Sequence, residues 1–350
     1  MTDRAWRAEV AVVHIGAPRT GTTAIQEMLA TNRNTLLRHG VLYPESLGSV
    51  ASQNLVAALA PLRVQDAIRR KRGLVGARSI GAYRRDLEAA LWREMAAHRP
   101  QTLLISAEQF FDRVDTFWTR RRLAMFLRSF AREARVVVYL RRQDQAIWSR
   151  HLHGIKLGKP GDFVAPSRAE PLYDYAARLL PWQKLFGAER LTVRAYQPSS
   201  LEGGGAAKDF LAQIGLSGCA IAPVGKRNTS LDIVRAAFMQ RIGAALGAQG
   251  AESLAEDLAG AIDRLEARGP PARLPRRESE AILSLYRASN ARLSAQFGGG
   301  EPFFNDAIEE VPLAGGPVLD LDAAVIIAAD LWAVKQRQVQ SLKRRLGKGG

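Results

Sequence analysis

The chain has few of the residues that build disulfides and metal clusters. Of its 350 residues, one is a cysteine, Cys219, and five are histidines. A single cysteine excludes an internal disulfide and any cysteine-based metal cluster. His151 and His153 are too close together and too few to indicate a metal site. The cysteine and the histidines therefore give no indication of a metal site.

Long hydrophobic runs are missing as well. The longest, Ala323 to Val334, is interrupted by Asp330 and is too short to span a membrane. The first nine residues are mostly polar and lead directly into a strand-like run, so we expect no signal peptide. Together with the single cysteine, these features predict a cytoplasmic protein. The sequence shows no internal repeat.

Acidic residues are scarce relative to basic ones. The chain has 50 Lys and Arg against 34 Asp and Glu, a formal net charge of +16. This excess favours anionic partners: a nucleotide, an acidic glycan, nucleic acid or an anionic membrane surface. The densest clusters, Arg69–Arg72 and Lys343–Arg345, lack the interleaved aromatics of nucleic-acid platforms and are typical of solvated surfaces. We expect no specific nucleic-acid partner.

With 47% hydrophobic residues, the chain can bury a sizeable core, and its strand-like runs alternate with helical patterns. This alternation predicts an α/β fold with a parallel sheet and helices on both faces. The predicted strands are Val10–Gly16, Val41–Glu45, Thr102–Ser106, Arg135–Leu140 and Leu191–Tyr196.

Helical patterns fill much of the remaining sequence. Residues 50–99 form a predicted helical insertion broken between Gly73 and Gly81, and a further helix is predicted near Arg120–Phe130. Towards the end of the chain, Arg277–Phe297 and Asp320–Leu346 each have the pattern of one helix. We expect residues 1–240 to form one α/β domain and residues 241–350 to form a helical region packed on it.

A glycine-containing loop follows the first predicted strand and precedes a helix. Strand, glycine loop and helix is the layout that binds phosphate, because backbone N–H groups and the helix N-terminus point at the anion. Gly16 and Gly21 are spaced as in the nucleoside-triphosphate pattern G-x-x-x-x-G-K-[ST], but Thr22 stands at the lysine position. The cation lies inside the loop instead, as Arg19. A plain glycine turn between a strand and a helix is the alternative.

This loop resembles that of the sulfotransferases that use 3′-phosphoadenylyl sulfate (PAPS), which reads roughly P-K-[ST]-G-T-T. The match differs by Arg in place of Lys. The resemblance implies a P-loop-type fold and the following cofactor-binding residues: Pro18, Arg19, Thr20, Gly21, Thr22 and Thr23.

A second part of the resemblance follows the strand that ends at Leu140. The family has an arginine at this strand end and a serine eight residues later, and both bind the 3′-phosphate of PAPS. Arg141 and Ser149 have that spacing, and such groups can converge on one phosphate. Without the loop, the pair would be read as a surface arginine and a helix serine.

The resemblance extends over about residues 10–235 and is greatest to bacterial sulfotransferase-like proteins and to the glycan-modifying branch. The segment Gly225–Leu231 suits the part that closes over the 3′-phosphate, which makes Arg227 or Lys226 a phosphate ligand. A helix-capping loop with Ser230 at the N-cap is an equal alternative. Ala24 stands where cytosolic relatives carry a Trp that stacks on adenine, so adenine must be held otherwise.

The implied reaction moves a sulfuryl group from PAPS to a hydroxyl or amine of an acceptor, possibly acidic or sugar-containing, without a metal. Arg19 would stabilise charge on the leaving oxygen but cannot act as an acid, because arginine keeps its proton. The acceptor needs a general base. Glu108, after a core strand, is the first candidate and Glu45 the second; His151, His153 or none of these residues is the remaining alternative.

Two other functions remain open. A P-loop kinase using ATP would need a lysine where Thr22 stands and an acidic strand end for Mg²⁺, and the sequence shows neither clearly. The chain could also be a non-catalytic protein that binds a nucleotide or an anionic glycan.

Overall fold

One parallel sheet is built from strands that lie between residues 8 and 195. The computed structural model describes residues 6–159, 161–222, 231–262, 265, 269–305, 307–308 and 321–346. Within them, five strands pair in parallel in the order β2-β3-β1-β4-β5. The strands are β1 (Ala8–His14), β2 (Val41–Leu42), β3 (Thr102–Ser106), β4 (Ala131–Leu140) and β5 (Leu191–Ala195). The α/β prediction is confirmed.

Helices connect and flank these strands. In chain order they are α1 (Thr22–Thr31), α2 (Arg33–Arg38), α3 (Gln53–Leu59), α4 (Ala67–Lys71), α5 (Ala77–His98), α6 (Phe110–Arg113), α7 (Phe117–Phe130), α8 (Gln143–Lys156), α9 (Tyr175–Phe186), α10 (Ala206–Gln213), α11 (Ile233–Ile262), α12 (Arg276–Leu285), α13 (Arg287–Phe297) and α14 (Leu321–Leu346). Short 3₁₀ turns occur at Ala188–Arg190, Pro198–Ser200 and Glu202–Gly204.

The central strand β1 lies between β3 and β4. In register, Val13 is opposite Ile105 on one side and Val136 on the other, and all three side chains are buried. A parallel strand buried on both faces gives a continuous apolar run, which is why the sequence predicts β1, β3 and the second half of β4. The first half of β4 is more exposed, so its polar composition hides its pairing with β1.

Several predicted boundaries differ from the observed ones. The strand predicted over Val41–Glu45 ends at Leu42. The break predicted between Gly73 and Gly81 is shorter, because α5 already begins after Gly76 and includes Gly81.

The single helix predicted over Arg277–Phe297 is two helices that meet at Tyr286. The Tyr286 ring is buried, and its hydroxyl accepts a hydrogen bond from the Glu170 backbone N–H at 2.9 Å. Its backbone at φ −110° and ψ 10° departs from regular helix. The contact of Tyr286 with Glu170 thus interrupts a helical pattern that the local sequence would otherwise continue.

The chain divides into two compact units. The first comprises Met1–Arg142, Arg168–Gly225 and Leu285–Asp306, and the second comprises Gln143–Ser167, Lys226–Ser284 and Ala307–Gly350. The first unit contains the sheet. In the second unit, α8, α11 and α14 contribute to one buried apolar cluster that includes Leu152, Met239 and Ile327.

In the first unit, α1 packs on the sheet. Ile25 and Leu29 of α1 share a buried cluster with Val12 of β1, Leu104 of β3 and Val137 of β4. Because α1 is fixed in this way, its N-terminus and the loop before it have a defined position at the carboxyl ends of the strands. Among the described helices, none is both long and apolar enough to cross a bilayer.

Candidate active site

The loop between β1 and α1 has a backbone suited to an anion. Arg19 and Gly21 both have positive φ, 67° and 75°, and the Thr20 hydroxyl donates to the Ala17 carbonyl at 2.6 Å. The loop begins by extending the sheet, since the Ala17 N–H donates to the Tyr139 carbonyl at 2.8 Å. The N–H groups of the first turn of α1 have no acceptor within the helix. They are therefore directed at the space beside the loop, where an anion is favoured.

Both glycines of the loop are required by close approaches. At Gly16, with φ 99°, an added Cβ would lie 2.9 Å from the Glu108 carbonyl oxygen. At Gly21 it would lie 3.0 Å from Ala206 Cβ and 3.1 Å from the Tyr196 ring. The loop is thus held between the segment after β3 and the segment after β5. The backbone contact leaves no room for a side chain at Gly16, and a side chain at Gly21 would be tightly packed in a backbone conformation that favours glycine.

Glu108 follows β3 and reaches the loop with its side chain. The Thr22 hydroxyl donates to Glu108 Oε2, and the Arg19 backbone N–H also donates to the carboxylate. Burial raises the pKa of Glu108, and these two hydrogen bonds and the Arg19 charge oppose the rise only in part. The Glu108 carboxylate therefore accepts hydrogen bonds from loop groups that could also donate to an anionic ligand.

Arg141 follows β4 and lies at the same loop. Its Nη1 is 3.5 Å from the Arg19 carbonyl oxygen, and its guanidinium lies 5.8 Å from the centroid of the Tyr196 ring. Its own carbonyl accepts a hydrogen bond from the Tyr175 hydroxyl at 2.8 Å, which fixes the backbone after the strand. The Arg141 side chain is thus placed at the backbone of Arg19 in the loop.

Tyr196 belongs to this site, although no motif indicates it. Its ring is close to Gly21 and to the Arg141 guanidinium. The signal that could have found it is its place directly after β5, because ligands of parallel sheets bind beyond the carboxyl ends of the strands.

Of three other predicted residues, one is exposed at the sheet edge, one belongs to the second unit and one lies outside the described residues. Glu45 follows β2 at the edge of the sheet; its side chain is 75% exposed and lies 3.7 Å from Arg33. Ser149 is on α8 in the second unit, whereas Arg141 is in the first. Arg227, like its neighbour Lys226, lies outside the described residues.

A buried polar network supports β4 and β5 behind the loop. The Tyr139 hydroxyl donates to Asp209 Oδ2 at 2.7 Å, and Arg194 donates to both oxygens of the same carboxylate. Asp209 is fully buried. Burial raises its pKa, but the hydrogen bonds from Arg194, the Glu202 N–H and Tyr139 outweigh burial and hold the pKa below its usual range.

His14, the last residue of β1, is a second buried polar group behind the loop. Its Nδ1 lies 2.8 Å from the Ser106 hydroxyl oxygen, and its ring packs near Tyr139 and Phe210. Burial lowers the pKa of His14 to about 3. The imidazole is therefore neutral near physiological pH and acts here as a core residue.

Comparisons with known proteins identify a similar solved structure. No family model matches the sequence, and no curated protein does. Among solved structures, the chain is similar to a sulfotransferase from Alicyclobacillus acidocaldarius, with 14% sequence identity and a TM-score of 0.41 over 83% of this chain and 96% of that chain. Similarity this low does not carry an activity from one protein to another, so the function of this chain has to be argued from its own residues.

Proposed function

We propose that this chain transfers a sulfuryl group from PAPS to a hydroxyl or amine of an acceptor. The observation that carries the proposal is that the Arg141 guanidinium lies against the backbone of Arg19, within a glycine loop that leads into a helix N-terminus. The sequence of the loop adds to this, since it resembles that of the PAPS-dependent enzymes. The residues fit a nucleotide that bears several negative charges, because backbone N–H groups and guanidinium groups both stabilise phosphate and sulfate oxygens.

Each residue has a distinct part in this proposal. The donor, when bound, supplies a sulfuryl group whose S–O bond to the nucleotide breaks as a new bond to the acceptor oxygen or nitrogen forms. Arg19 and the loop N–H groups of Gly21, Thr22 and Thr23 stabilise the charge that grows on the departing oxygen. Arg141 binds the 3′-phosphate.

The proton of the acceptor goes to a general base, for which Glu108 is the first choice. Of the two carboxylates considered, Glu108 contacts the loop whereas Glu45 is exposed beside Arg33. The raised pKa of Glu108 makes its ionised form a stronger base than an ordinary glutamate. The product that leaves is adenosine 3′,5′-bisphosphate.

A thermal-shift comparison tests this proposal. The full chain is heated with adenosine 3′,5′-bisphosphate, with ATP and Mg²⁺, and with a heparin-like polymer. We expect the bisphosphate to give the largest rise in melting temperature, because a ligand that binds only the folded state stabilises it. A larger shift with ATP and Mg²⁺ would favour a kinase, and a shift with the polymer alone would favour a glycan-binding protein.

A further inference from the structure

One face of α7 carries aromatic and basic side chains on the surface of the protein. Phe117, Trp118 and Met125 are 61%, 63% and 57% exposed. Arg121, Arg122 and Arg128 are exposed as well. At about 100° per residue, these six side chains fall within about 140° of the helix circumference. We call this set the aromatic–arginine face.

The opposite side of α7 fixes the helix to the protein. Leu123, Phe126, Leu127 and Phe130 are buried, and the Thr116 hydroxyl accepts a hydrogen bond from the Thr119 N–H at the N-terminus. The exposed aromatics therefore belong to a well-anchored helix. Large apolar side chains exposed together on such a helix indicate a binding surface.

The charge of the aromatic–arginine face has a single sign. No Asp or Glu occurs in Phe117–Phe130, and the preceding Asp115 is paired with Arg63 at 2.6 Å. The Arg121 guanidinium lies 6.0 Å from the Trp118 ring centroid. At the far end of the helix, Arg7 donates to the Arg128 carbonyl at 3.2 Å and adds another positive charge.

We propose that the aromatic–arginine face binds the surface of an anionic lipid bilayer. Trp and Phe partition into the interface between headgroups and acyl chains, and arginines beside them contact lipid phosphates. A soluble polyanion would satisfy the arginines but leave Phe117 and Met125 in water. A bilayer satisfies both kinds of side chain, and the charge complementarity therefore favours it.

The topology gives this surface a definite place. β3 ends at Ser106 on the edge of the sheet that bears the loop, and α7 then returns to the start of β4. Phe117 and Trp118, at the first turn of α7, are therefore on the side of the loop. The proposal does not depend on sulfuryl transfer.

Vesicle co-sedimentation of the full chain tests this proposal. One set of vesicles contains phosphatidylcholine, and the other contains phosphatidylcholine with phosphatidylserine. We expect binding to the second set that weakens with added salt. Arg121→Gln with Arg122→Gln should weaken it about 20–30-fold, at about fivefold per arginine. Phe117→Ala with Trp118→Ala should weaken it at least about tenfold through lost apolar contact.

Matched controls separate this face from general charge and general hydrophobicity. Arg70→Gln with Lys71→Gln removes the same charge from another exposed cluster, and Val75→Ala removes a side chain that is 81% exposed. Both should bind vesicles as the wild type does. Circular dichroism checks that each variant is folded, and the arginine pair remains informative even if the aromatic pair unfolds.

Three outcomes would overturn the proposal. The first is no binding to the anionic vesicles, and the second is an equal loss in the Arg70 and Lys71 control. The third is retention of vesicle binding when both aromatics are removed, which would point to plain charge attraction. If the wild type binds heparin but not the vesicles, and the α7 arginine variant no longer binds heparin, the partner is an acidic polymer instead.

Discussion

The substitution Glu108→Gln should affect ligand binding and turnover in opposite directions. The carboxylate takes hydrogen bonds from the Thr22 hydroxyl and the Arg19 N–H at the anion-binding loop. Glutamine keeps the shape and can still accept from Thr22, but it removes the negative charge and the basicity. We expect the variant to bind adenosine 3′,5′-bisphosphate more tightly than the wild type and to turn over PAPS more slowly.

The size of the binding effect follows from charge repulsion. Two unit charges about 5–6 Å apart at an effective dielectric constant of about 20 repel each other by about 3 kcal/mol. Salt and partial exposure reduce this to about 1–2 kcal/mol. At 1.4 kcal/mol per factor of ten, the bisphosphate should bind about 5–30-fold more tightly to the variant at alkaline pH. Loss of a general base should slow turnover by about 10²–10⁴-fold.

Calorimetric titration at several pH values measures the binding effect. Because the pKa of Glu108 is raised, its neutral form gains population as the pH falls, so the difference in affinity between the wild type and Glu108→Gln should shrink towards acid pH. Glu45→Gln, with the same change in charge on an exposed side chain, should behave as the wild type. Equal affinities for the wild type and Glu108→Gln at every pH would refute the reasoning.

Three further predictions concern stability. Asp209→Asn should lower the free energy of unfolding by about 3 kcal/mol at neutral pH, because it leaves Arg194 without its buried partner. Since the pKa of Asp209 is lowered, this difference between the variant and the wild type should shrink as acid protonates the wild-type carboxylate. Urea titration at several pH values measures both effects. The pKa of His14 is lowered from 6.5 to about 3, so between these two pH values His14 should lower the unfolding free energy of the wild type by about 1.4 kcal/mol per pH unit, and His14→Gln should lack this contribution to the slope. Gly16→Ala should lower stability by about 1–3 kcal/mol, measured by thermal unfolding, because φ is 99° and the new Cβ would meet the Glu108 carbonyl.

Local sequence was enough to predict the strands that are buried on both faces. Continuous apolar runs indicate β1 and β3, and the strand that ends at Leu140 identifies Arg141 as a residue at the sheet's carboxyl edge. Such signals are local, because period and composition are set by burial. The polar first half of β4 and the break at Tyr286 were missed because each depends on a partner far away in sequence.

The contacts of the site could be predicted only in part. Glu108 contacts Thr22 because β3 lies beside β1 in the sheet. The order of strands in a sheet cannot be predicted from the sequence of any single segment. The same holds for Tyr196, which meets Gly21 because β5 follows β4 at the sheet edge. Residue types and loop spacing indicated the kind of chemistry, whereas the contacts of Glu108 and Tyr196 with the loop depend on the order of the strands.

The most direct test of the central claim compares two nucleotides on two proteins. Calorimetry measures the binding of adenosine 3′,5′-bisphosphate and of adenosine 5′-monophosphate, which lacks the 3′-phosphate, to the wild type and to Arg141→Ala. We predict that the wild type prefers the bisphosphate and that Arg141→Ala loses about 1.5–3 kcal/mol for it, with little change for the monophosphate. Equal losses for both nucleotides, or no preference in the wild type, would contradict the account.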